Sequence, residues 1–190
     1  MAAKLLISKD SAATFLETTK ALFVKMCKAN FSEPPTMVRK DILEYNGRMR
    51  VSGMEKFNGP TYISFINFYK TTKDMQDHKA CGAVILYIED YSVDKMLKAL
   101  GFSGFDDEDE KAVADICGQF CSMIGDAFRS DLLSKGFIDL IISPPANYRN
   151  IVPAGVEFSF DQYEKHELSF SFWNQKVVVV DFSLCPVPGI

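Results

Sequence analysis

The sequence predicts an α+β domain in which helices cover one face of a largely antiparallel sheet. Strand-like runs follow one another in consecutive sets with few helices between them, the pattern of a segregated sheet rather than of alternating βα units. The pairs Asn46-Gly47, Asn58-Gly59 and Asn174-Gln175 sit between such runs, and dipeptides of this kind supply tight hairpin turns. With 190 residues, 47% of them hydrophobic and 24% charged, the chain can bury one sizeable core, which excludes disorder over most of its length.

In chain order, residues 11–30 read as a helix, with Ser11 as N-cap and Phe15, Leu16, Leu22, Phe23, Met26 and Cys27 at helical spacing. Pro34-Pro35 ends whatever follows that helix. Runs at 37–45, 48–57 and 62–71, joined by the two Asn-Gly pairs, predict a meander of three strands. Residues 79–90 carry an apolar run too continuous for a strand wet on one face, so this strand is placed at the sheet centre. Val93, Met96, Leu97 and Leu100 mark a short helix stopped at Gly101. The acidic run SGFDDEDE then opens a long helix over 107–135, since carboxylates favour the positive end of the helix dipole. Runs at 137–143, 155–161, 167–173 and 176–183 complete the sheet, and 1–10 and 185–190 read as frayed tails of one domain spanning 1–190.

Charge and inventory narrow the function classes. Acidic residues outnumber basic ones, 25 to 21, so the basic footprint of a nucleic-acid partner is missing. The first ten residues lack the apolar region and cleavage site of a signal peptide, and no stretch is long and apolar enough for a membrane span. Five cysteines, an odd number scattered through apolar segments, fit reduced thiols and a cytoplasmic location. His78 and His166 both read as solvated turn or edge residues, Cys117 and Cys121 as core thiols, and no metal site is expected. Phosphate-cradling and hydrolase motifs are missing from the sequence.

The long helix carries the informative pattern. Val113, Ile116, Cys117, Phe120, Ile124, Phe128 and Leu132 form its core stripe, while Lys111, Asp115, Gly118, Gln119, Ser122, Asp126 and Arg129 fall within an arc of about 100° on the other side. Asp115 and Gln119 share a face, and Ala114, Gly118 and Ser122 would let another backbone come close. A carboxylate beside a carboxamide can do one kind of work: the acid pairs with a partner's lysine while the amide orients a water in line with an acyl phosphate. A solvated helix face is the plainer reading of the same residues.

Gly82–Phe102 (GAVILYIEDYSVDKMLKALGF), the helix Lys111–Leu132 and the run FIDLIISPP over 137–145 resemble the CheC/CheX family of chemotaxis phosphatases. The resemblance implies long helices packed on an extended sheet, a phosphorylated receiver domain of a response regulator as partner, and bacterial two-component signalling as setting. It implies no cofactor in the chain itself, the Mg2+ belonging to the receiver. Of the family's Glu-x-x-Asn motif, the acid falls on Asp115 and the amide on Gly118, so the water-orienting residue is missing from its place. Either Gln119 supplies it, an acid-xxx-Gln arrangement resembling that of the unrelated CheZ phosphatases, or the protein is a binding scaffold. Asp115 and Gln119 are thus the catalytic candidates, and Lys111, Gly118, Ser122 and Asp126 the partner-binding ones. A small-molecule sensor is a third reading. A homodimer is expected from the apolar hairpin 167–183, if it leaves an open edge.

Overall fold

The computed structural model describes residues 5–190. Its elements are β1 (Leu5–Leu6), α1 (Ser8–Met26), β2 (Phe31–Asp41), β3 (Glu44–Tyr45), β4 (Arg48–Met49), β5 (Thr61–Tyr69), α2 (Thr72–Gln76), β6 (Gly82–Glu89), α3 (Val93–Ala99), α4 (Glu110–Ser134), β7 (Ile141–Ile142), β8 (Ala146–Arg149), β9 (Glu164–Phe172), β10 (Gln175–Leu184) and β11 (Val187–Pro188), with 3-10 turns at Gly53–Lys56 and Asp90–Ser92. The main sheet runs β2-β9-β10-β6-β5-β7, with β8 also on β5, and every pairing in it is antiparallel. The predicted α+β class therefore holds, with three helices of seven or more residues and α2 as a short fourth that the sequence reading did not contain.

Helices α1 and α4 share one face of the sheet. Phe15 of α1 stacks on Phe182 of β10 with ring centroids 4.1 Å apart, and Phe128 of α4 meets both rings edge-on at 5.2 and 5.1 Å. Phe23 closes the other end of this layer against Phe120 and Phe170. Rings at such separations add edge-to-face attraction to the apolar area they remove from water.

The second face is also covered, but by irregular chain. Met49, Val51, Val156 and Phe158 lie over Ile63, Ile85, Tyr87 and Val179. Burial on both faces accounts for the unbroken apolar run of β6, which sits between β10 and β5 as expected. This layer also holds charge. Asp181 is fully buried and receives Lys56 Nζ at 2.8 Å, Lys165 Nζ at 2.7 Å and the Tyr87 hydroxyl at 3.2 Å, and Lys56 also contacts Glu167. Ions this deep are tolerable only as mutual partners.

Several expected elements are different. The three-stranded meander does not form: Asn46 and Gly47, at φ of 51° and 74°, make the hairpin β3-β4, but 48–57 turns at Gly53 into the 3-10 segment that delivers Lys56 to Asp181. Strand β2 consequently crosses to pair with β9. Pro34 and Pro35 lie inside β2, on the sheet edge and within the register shift between Glu33 and Thr36, where missing amide hydrogens cost the ladder least. The hairpin 167–183 is interior, β9 covered by β2 and β10 by β6, so the open edge behind the homodimer expectation does not exist. Run 155–161 makes only a single bridge, Val156 to Met49, and Phe160 points to solvent. Helix α1 starts before Ser11, at Ser8. His166 is buried on β9 rather than solvated, whereas His78 is an exposed turn residue. The chain ends are not frayed where they are described: β1 pairs with β11 and Val187 is fully buried. Residues 1–4 of the expected N-terminal tail lie outside the described residues.

Removing the counter-ion at the buried charge centre should be costly. Asp181→Ala leaves Lys165 without its carboxylate and Lys56 with Glu167 alone, and urea denaturation should show a loss of about 3–5 kcal/mol. A loss below about 1 kcal/mol would mean that both ammonium groups reach water in the variant.

Candidate functional site

The long helix is fixed at both ends by its own sequence. Asp109 of the acidic run accepts hydrogen bonds from the amides of Lys111 and Ala112 at 3.0 and 3.2 Å, which satisfies donors that have no partner within the helix. At the other end Gly136, at φ 78°, lets its own amide reach Leu133 and that of Phe137 reach Leu132, the paired closure of a Schellman motif. Val113, Phe120, Ile124 and Phe128 are buried, while Asp115, Gln119 and Asp126 are exposed and Ser122 is half-buried, as the 3.6-residue period predicts. Cys117 and Cys121 are core thiols, and burial pushes the Cys121 thiol up to about 12.

The small residues of α4 serve a neighbour within the same chain. A Cβ placed on Gly125 would run into Ile66 of β5 and stand 3.4 Å from Ile142 of β7. One placed on Gly118 would lie 2.6 Å from Nδ2 and 2.7 Å from Cγ of Asn147 on β8, and closer still to its Oδ1. Gly118 is buried under that side chain and offers no surface to a partner, which corrects its assignment as a partner-binding residue.

Asn147 is the residue that sequence reasoning missed. Its Nδ2 is 3.4 Å from Asp115 Oδ1, and its Oδ1 is buried without a hydrogen-bond partner. Strand β8 holds it there by pairing with β5, Asn147 opposite Ser64. Two residues on, Arg149 anchors the strand through Nε and Nη2 to both oxygens of Asp90 at 2.8 and 3.1 Å, and it also contacts Glu110 in the first turn of α4. The only local signal was four residues of extended chain between Pro145 and Asn150, too short to register as a strand.

Asp115 is half exposed and pairs with Lys111 one turn earlier, Nζ to Oδ2 at 2.7 Å. That hydrogen bond holds the Asp115 carboxyl below its ordinary range, with a smaller contribution from Asn147. Exposed i,i+4 pairs are readily exchanged for another partner. Gln119 lies one turn further along the same face. Ser122 and Asp126, with Arg129, line a depression of about 400 Å³ whose far wall is residues 139–145, and Arg129 bridges it to Asp139 at 2.6 Å. A larger cavity of about 990 Å³, between Leu43, Tyr45, Met54 and Val152, belongs to the other side of the sheet and contains none of these residues.

No family model and no curated protein sequence matches this chain. Solved structures do. A CheX in a CheX-CheY-BeF3-Mg complex from Borrelia burgdorferi matches with a TM-score of 0.53 at 17% identity, over 93% of this chain and 98% of that one. CheX from Desulfovibrio desulfuricans matches with a TM-score of 0.55 at 15% identity, over 92% and 99%. FliY of Thermotoga maritima matches with a TM-score of 0.50 at 14% identity, over 90% and 84%. The chain therefore shares the fold of these CheX structures, as the resemblance implied. Among the described residues no helix is long and apolar enough to cross a membrane.

Two expected outcomes follow from this geometry. Lys111→Met should raise the Asp115 pKa toward the ordinary carboxylate range, because the hydrogen bond that favours its charged form is gone; carbon-13 NMR titration of the aspartate carboxyls reads this directly. Gly118→Ala should destabilise the fold by about 1–3 kcal/mol through overpacking against Asn147, and adding Asn147→Ala should recover most of the loss in thermal melts.

Proposed function

We propose that this protein binds the receiver domain of a response regulator through the outer face of α4, in a role like that of the chemotaxis proteins whose fold it shares. The observation that carries the reading is Asp115. It is an exposed carboxylate in the N-terminal part of α4, held by one exchangeable lysine and bordered by a carboxamide, with a shallow depression starting two turns on at Ser122. A lysine of the partner can replace Lys111 at that carboxylate and gain a charge-assisted hydrogen bond. One neighbour with this fold is a CheX in complex with CheY, BeF3 and Mg, and the same class of partner fits here.

Gly118 favours a second reading. With no amide on the helix at that place, the protein would hold a receiver without acting on its phosphate, as a scaffold.

Titration calorimetry with receiver domains encoded in the same genome, with and without beryllofluoride, tests the binding reading. Wild-type protein should bind the beryllofluoride form more tightly. Asp115→Ala should weaken that binding on the order of tenfold to a hundredfold, as loss of one charge-assisted interface contact does. Equal affinity of wild type and Asp115→Ala would remove α4 from the interface.

A further inference from the structure

We infer that Cys185 and Cys81 form a reactive thiol pair at one end of the sheet: Cys185 attacks a hydroperoxide, and Cys81 then closes a disulfide that joins the end of β10 to the start of β6. The site lies away from the outer face of α4, and the inference does not depend on the receiver-binding reading.

Backbone pairing places the two residues. Leu184 of β10 lies opposite Gly82 of β6, so Cys185 and Cys81 are the next cross-strand neighbours, and the Cys185 amide donates to the Cys81 carbonyl at 2.8 Å. A Cβ added at Gly82 would stand 2.5 Å from the Ser183 carbonyl oxygen and 3.1 Å from the Leu184 Cα, so the end of β10 packs onto β6 where any side chain would otherwise sit. Opposed residues of an antiparallel pair have Cα atoms about 4.5–5.5 Å apart, inside the range of about 4.4–6.8 Å that a disulfide spans. The two thiols also hydrogen-bond to each other, so the sulfur atoms already face one another.

The pair has a route to solvent. Both cysteines line an open depression of about 340 Å³ whose walls include Lys70 and Asp161. Cys117 and Cys121, by contrast, are enclosed in the core.

The surroundings separate the roles of the two thiols. The hydrogen bond from Cys81, with the charge and a hydrogen bond of Lys70, holds the Cys185 thiol below its ordinary range, against burial and the charge of Asp161. The same hydrogen bond and burial push Cys81 up, so it stays protonated. Asp74, His78 and Lys79 face the same depression, and His78 is engaged by Glu157 at 2.9 Å. Because the thiolate is the nucleophilic form, Cys185 reacts first.

The co-reactant is a hydroperoxide, hydrogen peroxide in the simplest case. The Cys185 thiolate attacks one peroxide oxygen, the O–O bond breaks, and the departing hydroxide takes a proton from solvent, which leaves a sulfenic acid and one water. The Cys81 sulfur then attacks the Cys185 sulfur, and the sulfenic hydroxyl departs with the Cys81 proton as a second water. Two thiols are oxidised to one disulfide, and one peroxide is reduced to two waters.

The test treats the reduced full chain with hydrogen peroxide and maps its cysteines by trypsin digestion and mass spectrometry. Peptides 80–95 and 177–190 carry Cys81 and Cys185; they should appear linked, two hydrogens lighter than their sum, and separate again with dithiothreitol. Cys81→Ser should leave a sulfenic acid on Cys185 that dimedone traps, whereas Cys185→Ser should leave Cys81 unmodified under the same conditions. Lys70→Met should shift the pH profile of Cys185 alkylation by iodoacetamide upward and slow that alkylation about threefold to tenfold at neutral pH. A lysine that only fills space would leave the profile where it is. No linked peptide from the wild-type chain, linkage of a different cysteine pair, or reaction of Cys185 with peroxide no faster than that of Cys27 would overturn the inference.

Discussion

The close approach of α4 to the edge of the sheet is the constraint on which the site depends. A helix normally stands off a sheet by the thickness of its own side chains, and α4 removes that spacer at two positions on one side. At Gly125 the gap is filled by Ile66 and Ile142, and at Gly118 by Asn147. The two glycines lie seven residues apart, two helical turns, so they form one line along the helix. A single larger side chain at either place would tilt or lift the helix, and Asp115 would move with it. Glycine inside a helix costs about 1 kcal/mol relative to alanine, and the return here is contact with the sheet and a polar neighbour for Asp115.

The rest of the architecture makes that line rigid. Phenylalanines of α1, α4 and β10 lock the two long helices to the middle of the sheet. On the opposite face, loops are tied down by the buried ions around Asp181 instead of by helices. Charge does there what packing does on the first face: it gives the irregular segment 50–57 one definite position, since Lys56 has its counter-ions in one place only. Both faces of β6 are thereby closed, one by the helix layer and the other by the irregular segments.

Periodicity made the helix layer legible in the sequence. The stripe of α4, the continuous burial of β6, the Asp109 cap and the Gly136 stop are all local patterns whose physics acts within a few residues. What was not legible depends on partners far along the chain. Asn58-Gly59 has the composition of a hairpin turn, yet only Asn58 takes a positive φ, because the segment before it is drawn to Asp181 more than a hundred residues later. Strand β2 reads as the neighbour of the next strand and instead pairs with β9. His166 reads as polar and exposed and is buried on β9 between β2 and β10.

The site shows the same division at the scale of single side chains. Asp115 stood out because acid, period and exposure are all properties of the helix. The partner-binding sense given to Gly118 came from a correct physical premise, that small residues admit a close neighbour, applied to the wrong neighbour. The close neighbour was a side chain of the same chain, Asn147, on a four-residue strand without periodicity of its own. The volume that the helix gives up at Gly118 is taken by the Asn147 side chain of another element. A motif written along one helix cannot record that exchange, whereas the volume balance between Gly118 and Asn147 does.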